Sequence, residues 1–223
     1  MINILPCITT THNSSWEKKI KNTKLKTVAI FLTCLKDRNE FYSLLKKSSI
    51  KNIPFIHIRG DMKTKELDFF VEKYNTKAFN LHSEKEYPIL YDYSKYKDII
   101  FLENVYTVWD EKEIKNFGGI CLDLAHLEND RLLNKNRFSK NKKIIEKYKI
   151  GCNHISAIKK DKRIDEKGHQ RYDYHYLDNL SELDYLKKYP LNYFSKYIAI
   201  ELENNLKEQI KIKKYILKNV FHC

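Results

Sequence analysis

The chain has 223 residues, 42% hydrophobic and 13% aromatic, which is enough apolar material for one sizeable core in a single domain over residues 1–223. No apolar run approaches the roughly 18 residues of a membrane span, and the first residues lack the basic and apolar regions of a secretory leader. Five cysteines without a C-x-x-C pair favour reduced thiols over a disulfide framework. We therefore expect a cytoplasmic protein with no membrane partner.

The formal net charge of +13 favours a polyanionic partner, and DNA is the first candidate. Only six of the 42 basic residues are arginine, however. A chain rich in lysine, asparagine and isoleucine is also what an A+T-rich genome encodes. Both explanations of the charge stay open on the sequence.

Eight short apolar runs of β-branched or aromatic composition predict strands. Between most of them lies a polar stretch with apolar residues at helical spacing, as at Leu67, Phe70, Val71 and Tyr74. Strands that alternate with helices form a parallel sheet, and eight such units predict a compact α/β fold, the (β/α)8 TIM barrel. The predicted strands are Ile2–Leu5, Thr27–Leu32, Ile53–Ile58, Ala78–Leu81, Ile99–Leu102, Gly119–Leu122, Cys152–Ile155 and Tyr197–Ile200.

Three of the connections have distinctive lengths. Residues 110–117 provide barely two helical turns, whereas residues 129–148 predict one long basic helix. Residues 159–177 are long, charged and interrupted by Gly168, so we predict a loop that lies over one face of the barrel.

Nearly every predicted strand from the third onward ends in a side chain that can bind a metal ion. The carboxyl ends of barrel strands meet at one mouth, where such enzymes place their active sites. A single histidine is more often an ordinary core or surface residue, but the repetition favours a metal centre. Asp173 and His175 form a further D-x-H pair in the predicted loop. The candidate ligands are His57, His82, Glu103, Asp123, His126, His154, Asp173, His175 and Glu201.

Some polar residues near these positions are left out of the predicted site. Glu203 lies on the same strand face as Glu201, and we choose Glu201 because it directly follows the apolar run. His12, His169 and His222 lie outside the pattern. Nine ligands exceed the four that satisfy one zinc ion, so two or three ions bridged by a carboxylate are expected.

The order of these ligands, with its D-x-x-H and D-x-H spacings, resembles that of the endonuclease IV family in the xylose isomerase-like TIM-barrel superfamily. The resemblance spans essentially the whole chain. It implies a zinc cluster, with Mn²⁺ or Mg²⁺ as alternatives, and a phosphodiesterase that cleaves DNA at abasic or damaged sites. Such a cluster polarises the phosphodiester and activates water for in-line attack.

Carried over residue by residue, the resemblance implies three metal sites that share one carboxylate. The first uses His57, His82 and Glu103. The second uses Glu103, Asp123, His154 and Glu201. The third uses His126, Asp173 and His175.

The sequence also departs from that family. After His57, residues 58–61 read Ile-Arg-Gly-Asp and lack the aromatic-aliphatic wedge that opens the duplex, and after His154 comes Ile-Ser-Ala in place of Leu-Asn-Asp. The chain is shorter than typical members. Arginine binds two phosphate oxygens at once through its planar fork. On that basis the candidate substrate contacts are Arg59, Arg163 and Arg171.

Two other functional classes stay open. Related barrels that isomerise or epimerise sugars or sugar phosphates hold one ion and use two catalytic glutamates, here Glu103 and Glu201, to shuttle protons. They usually lack a counterpart of Asp173 and His175. A noncatalytic interaction protein on the same barrel is the third class. The number of bound metals separates the first two classes, and the oligomeric state is left open.

Overall fold

The computed structural model describes residues 2–165 and 167–222. Strands and helices alternate along this part of the chain. The strands are β1 (Asn3–Thr9), β2 (Ala29–Phe31), β3 (Phe55–His57), β4 (Ala78–Leu81), β5 (Ile100–Glu103), β6 (Ile120–Asp123), β7 (Ile150–Ile155), β8 (Ala157–Ile164), β9 (Gln170–Tyr174) and β10 (Tyr197–Ile200). The α-helices are α1 (Trp16–Asn22), α2 (Asn39–Lys47), α3 (Thr64–Tyr74), α4 (Glu111–Ile114), α5 (Leu124–Leu133), α6 (Lys135–Lys147) and α7 (Leu206–Asn219). Shorter 3₁₀ helices span Ser94–Ile99, Leu180–Lys188 and Leu191–Tyr193.

All strands except β8 and β9 close into one barrel. Its order is β1 to β7 followed by β10, which pairs with β1, and every neighbouring pair is parallel. Each predicted strand corresponds to one of these, although β1 continues to Thr9 where the prediction ends at Leu5. The predicted (β/α)8 barrel is confirmed.

Two apolar layers hold the barrel together. A larger one fills the space between the strands and the helices and includes Ile30, Ile56, Phe70 and Ile212. Because successive strand residues point to opposite faces, alternate positions of the same strands supply the inner layer. This inner layer consists of Leu5, Cys7, Ala29, Phe31, Phe55, Ala78, Phe101, Cys121, Cys152 and Ala199. Its three thiols, at Cys7, Cys121 and Cys152, are free and buried.

The segment predicted as a loop at residues 159–177 is instead mostly an antiparallel hairpin of β8 and β9. Gly168, with φ of +83°, and Asp165, which accepts the backbone N–H groups of Lys167 and His169, form its turn. The loop prediction is wrong because five of the eight β8 residues are charged, so the strand lacks the apolar alternation that would identify it. Backbone pairing between β8 and β9, rather than an apolar pattern, gives the segment its regular structure.

The predicted long helix at residues 129–148 is two helices, α5 and α6, that meet at Asn134. Asn134 adopts φ −144° and ψ 78°, and its side chain accepts the backbone N–H of Arg137. Asparagine competes in this way with helical hydrogen bonding, so a new helix starts at this position. Within the described ranges, no helix combines the length and apolar character needed to cross a bilayer.

Gly151 packs against the ring of Phe101 and leaves no room for a side chain. A Cβ atom on Gly151 would lie 2.0 Å from Cε1 and 2.1 Å from Cζ of that ring. We therefore expect Gly151→Ala to lower the free energy of unfolding by about 1–3 kcal/mol, because overpacking strains a filled core.

Urea unfolding measures this loss, and Phe101→Leu provides the matched test of its cause. Removal of the ring should relieve the clash, so the double variant should lose less stability than the sum of the two single variants. Strictly additive losses would show that the ring is not the source of the strain.

Candidate metal centre

Strand alternation carries five candidate ligands to one end of the barrel. In each case an inward-facing apolar residue of the inner layer is followed, two positions later, by a ligand that points the same way. The five ligands are His57, Glu103, Asp123, His154 and Glu201, which are between 1% and 3% exposed. The pattern repeats on β4, where Ala78 is followed by Asn80 and then by His82. The two-residue alternation of the strands thus places these ligand side chains around the centre.

Glu103 lies in the middle of the cluster. Its Oε2 atom is 3.4 Å from Nδ1 of His57 and 3.9 Å from Nε2 of His82. The same atom is 3.9 Å from Nε2 of His154, while Oε1 is 3.5 Å from Nδ1 of His126. One carboxylate therefore faces four imidazoles, with a different oxygen toward each side of the mouth.

Asp123 both starts a helix and faces the centre. Its Oδ1 atom accepts the backbone N–H groups of Ala125 and His126 at 2.7 and 2.9 Å, which caps α5. Its Oδ2 atom is buried without a hydrogen-bond partner and lies 3.6 Å from Nδ1 of His126. The cap fixes the rotation of the carboxylate, so the second oxygen is held toward Glu103.

The residues present fit a divalent ion. Both ring nitrogens of His57 and the Oδ2 atom of Asp123 are buried without hydrogen-bond partners, which is costly unless a ligand pairs them. Imidazole nitrogen and carboxylate oxygen are the donors that zinc and manganese accept. In two triads, one donor atom per residue lies within 4.8 Å of the others: His57, Glu103 and His154, and Glu103, Asp123 and His126.

Burial keeps three of the imidazoles neutral and so leaves a lone pair for a metal. It lowers the pKa of His57 well below the ordinary value, with help from the neighbouring His82 and His154 rings. Burial also lowers the pKa of His82 to about 3, and burial together with Arg171 lowers that of His126 to about 3.

The carboxyl groups divide into two kinds. Burial raises the pKa of Glu103 well above its ordinary value, and burial together with Glu201 raises that of Asp123 to about 8. Burial also opposes charge on His154 and Glu201, but His154 Nδ1 lies 2.5 Å from Glu201 Oε2. Their attraction outweighs burial, so the pKa of His154 rises and that of Glu201 falls to about 2. The centre holds one internal ion pair and two carboxyl groups that need a cation to ionise.

The two residues predicted from the loop reach the same mouth on β9 and just after it. Asp173 Oδ2 lies 3.9 Å from Nε2 of His126, and Nε2 of His175 lies 3.4 Å from Oε1 of Glu201. Every one of the nine candidate ligands is therefore linked to another by a contact of 3.9 Å or less. The structure brings the whole predicted set together.

The three candidate arginines have different surroundings. Arg59 is occupied locally, since its guanidinium donates to Asp61 and to the backbone oxygen of Thr33. Arg171 is 4% exposed and forms a bidentate pair with Asp173. Arg163 also contacts Asp173 but leaves 35% of its side chain exposed. Arg163 is thus the most accessible of the three to a molecule approaching the mouth.

Sequence analysis missed two asparagines that support the ligands. Asn80 donates from Nδ2 to Oε2 of Glu103, and its Oδ1 lies 3.0 Å from Nε2 of His154. Asn104 pairs with the backbone of Asp123, and its own carbonyl oxygen lies 2.7 Å from Nδ1 of His126. The position of Asn80 on β4, two residues before His82, was the signal that could have identified it.

The turn of the β8–β9 hairpin covers part of the mouth. The rings of His169 and Tyr106 stack with centroids 4.7 Å apart, and Lys167 Nζ lies 4.2 Å from the ring centroid of Tyr87. Tyr87 in turn contacts the ring of His82 at 4.7 Å. The hairpin therefore contacts the segments that follow β4 and β5.

Comparison with known proteins adds little to this description. No family model matches the sequence, and no curated protein matches it significantly. Among solved structures, a crystal structure of an AP endonuclease, family 2, from Brucella melitensis matches with a TM-score of 0.44 and 8% identity, over 96% of this chain and 99% of that chain. At this level the match supports no conclusion about activity. Fold and site define the class: a (β/α)8 barrel with a buried histidine and carboxylate centre at its mouth.

Asn80 provides a test of how the ligands are held. Asn80→Ala removes a partner of both Glu103 and His154, so we expect zinc affinity to fall about 10- to 100-fold. Competition with a chromophoric chelator measures the affinity. Asn141→Ala is the matched control, because Asn141 is fully buried but contacts Trp109 and Asp130 instead. An equal loss of affinity in both variants would contradict a specific role for Asn80.

The raised pKa of Asp123 predicts proton release when metal binds. With a pKa of about 8, this carboxyl holds a proton near neutral pH and must lose it when Oδ2 binds an ion. Release should decline as the pH rises through about 8, where the group is already ionised. Calorimetry in buffers of different ionisation enthalpy counts the protons. Asp123→Asn should release about one proton fewer near neutral pH, and an unchanged count would contradict the assignment.

Proposed function

We propose that this protein is a metal-dependent phosphodiesterase that hydrolyses DNA at abasic or damaged sites. One observation carries the proposal: Glu103 belongs to both metal-binding triads, with Oε2 toward His57 and His154 and Oε1 toward His126. Two-ion centres bridged by a carboxylate are a recurrent solution for phosphodiester hydrolysis. Ions bound here would neutralise charge on the phosphodiester and activate water for attack.

The chain's own residues have separable roles in this proposal. Glu103 belongs to both triads. Asp123 contributes Oδ2, the oxygen that does not take part in the helix cap. Asn80 holds both Glu103 and His154 in place. Beneath them, the ring of Phe31 lies edge-on to His57 with centroids 4.5 Å apart and closes the centre from the barrel interior. The apolar inner layer thus lies on one side of the centre, and we place the substrate on the other side, at the mouth.

The charge of the protein fits a phosphate-containing substrate. The net charge is +13, and Arg163 and Lys167 lie at the covered mouth. Lysine and arginine contacts to phosphates supply sequence-independent affinity for nucleic acid. They account for attraction to DNA, while the buried ligands account for the chemistry.

A sugar or sugar-phosphate isomerase is the second candidate, and one observation favours it. Seven of the nine ligands are buried, and of the two others, His82 is covered by Tyr87, which contacts Lys167 of the hairpin turn. Such a mouth suits a small substrate. In this alternative Glu103 and Glu201 would exchange a proton with a carbon beside a carbonyl group.

Two assays on one metal-loaded preparation separate the candidates. A phosphodiesterase should cleave a duplex with a single abasic site, at a rate that falls at least about tenfold between low and physiological salt as counterion release weakens binding. An isomerase should leave the duplex intact and exchange a carbon-bound proton of a ketose phosphate with solvent. Proton exchange without cleavage would overturn the phosphodiesterase proposal.

Glu103 variants test the bridging role in the same cleavage assay. Glu103→Ala should abolish cleavage because it separates the two triads, and Glu103→Gln should lower the rate at least about 100-fold because a neutral amide balances two cations poorly. Glu203→Gln is the control, since Glu203 lies two residues beyond Glu201 and outside both triads. Full activity in Glu103→Gln would contradict the bridging role.

A further inference from the structure

The carboxylate of Asp173 already has a complete cationic partner. Arg171 Nε lies 2.6 Å from Oδ1 and Nη2 lies 3.0 Å from Oδ2, so both oxygens accept from one guanidinium. Asp173 is 1% exposed and Arg171 is 4% exposed. Charge-assisted hydrogen bonds are about twice as strong as neutral ones, and the bidentate geometry adds to the energy of the pair. The pair is part of the interior of the site.

A second guanidinium adds to this. Arg163 Nε donates to the backbone oxygen of Asp173 at 3.0 Å, and its Nη2 lies 3.8 Å from Oδ2. A divalent cation bound to Asp173 would lie beside both arginines in a place shielded from water. Like charges repel more strongly there than at the surface, so occupation of this position by an ion is disfavoured.

The other two residues implied for a third ion differ: His126 faces Asp173 through Nε2 at 3.9 Å, whereas His175 is turned toward Glu201. His175 Nε2 lies 3.4 Å from Oε1 of Glu201, and His126 Nδ1 lies 2.7 Å from the carbonyl oxygen of Asn104. In the described part of the chain, both closely spaced donor sets contain Glu103 and leave out Asp173 and His175.

We propose that the guanidinium of Arg171 takes the place of a third metal ion, so that the centre holds two ions and one built-in cation. The proposal rests on the metal centre of the proposed function but not on the reaction. Asp173 and Arg171 then act as positioning residues: they hold β9 against His126, whose Nε2 faces Asp173 at 3.9 Å. The sequence resemblance implies a third ion, so the two views differ in one measurable number.

Metal content decides between them. Zinc-saturated protein, freed of excess metal by gel filtration, should contain two ions per chain by mass spectrometry. Asp173→Asn should still contain two, because Asp173 binds no metal in this proposal. A wild-type count of three that falls to two in Asp173→Asn would overturn the proposal, and so would a wild-type count of one.

Replacement of Arg171 gives the complementary result. Arg171→Gln removes the guanidinium and leaves Asp173 free to bind, so the count at saturating zinc should rise from two to three. Arg171→Lys keeps a cation and should stay at two. A count of two in Arg171→Gln would overturn the proposal. If Arg171→Gln does not fold, the counts of wild type and Asp173→Asn still decide.

These counts are independent of catalysis. A protein with two ions that leaves abasic DNA intact would contradict the phosphodiesterase proposal and support the role of Arg171. A protein that binds three ions and cleaves abasic DNA would support the phosphodiesterase proposal and contradict the role of Arg171. The two proposals therefore fail separately.

Discussion

A carboxylate removed from water at the mouth of a closed barrel loses hydration worth several kcal/mol, and a cation, a proton or hydrogen-bond donors must offset that loss. Glu103 is in this position, 3% exposed and faced by four imidazoles. Three of those rings, at His57, His82 and His126, are kept neutral by burial. Glu103 needs a positive charge beside it, and the neutral rings around it each keep a nitrogen lone pair. The same group of side chains is therefore suited to bind a metal ion.

The hairpin of β8 and β9 adds a second layer to this arrangement. It lies outside the barrel sheet, yet it delivers Asp173 to His126 and places its turn against Tyr87 and Tyr106. Its most buried charges are mutually paired through Arg171. The hairpin thus covers part of the mouth and supplies positive charge there, while the eight barrel strands remain paired in a closed sheet.

Asp123 shows how local and long-range requirements meet in one residue. Locally it is an N-cap, and its first oxygen is committed to α5 by two backbone contacts. The helix start therefore fixes the second oxygen at the centre, where burial and the charge of Glu201 raise the pKa of the carboxyl to about 8. The same backbone geometry that starts a helix prepares a metal donor, so a substitution at Asp123 affects both.

The sequence by itself determined the eight strands and the end at which they carry polar groups, because the two-residue alternation of a strand and the apolar runs are local properties. It also identified the nine side chains that meet at the mouth, while the ions and the reaction stay predictions. The hairpin, the break at Asn134 and the role of Asn80 were decided by the tertiary structure. So was the partner of Asp173: Arg171, two residues earlier, shares its face only because this segment forms strand β9, and the charged residues of β8 conceal that hairpin in the sequence.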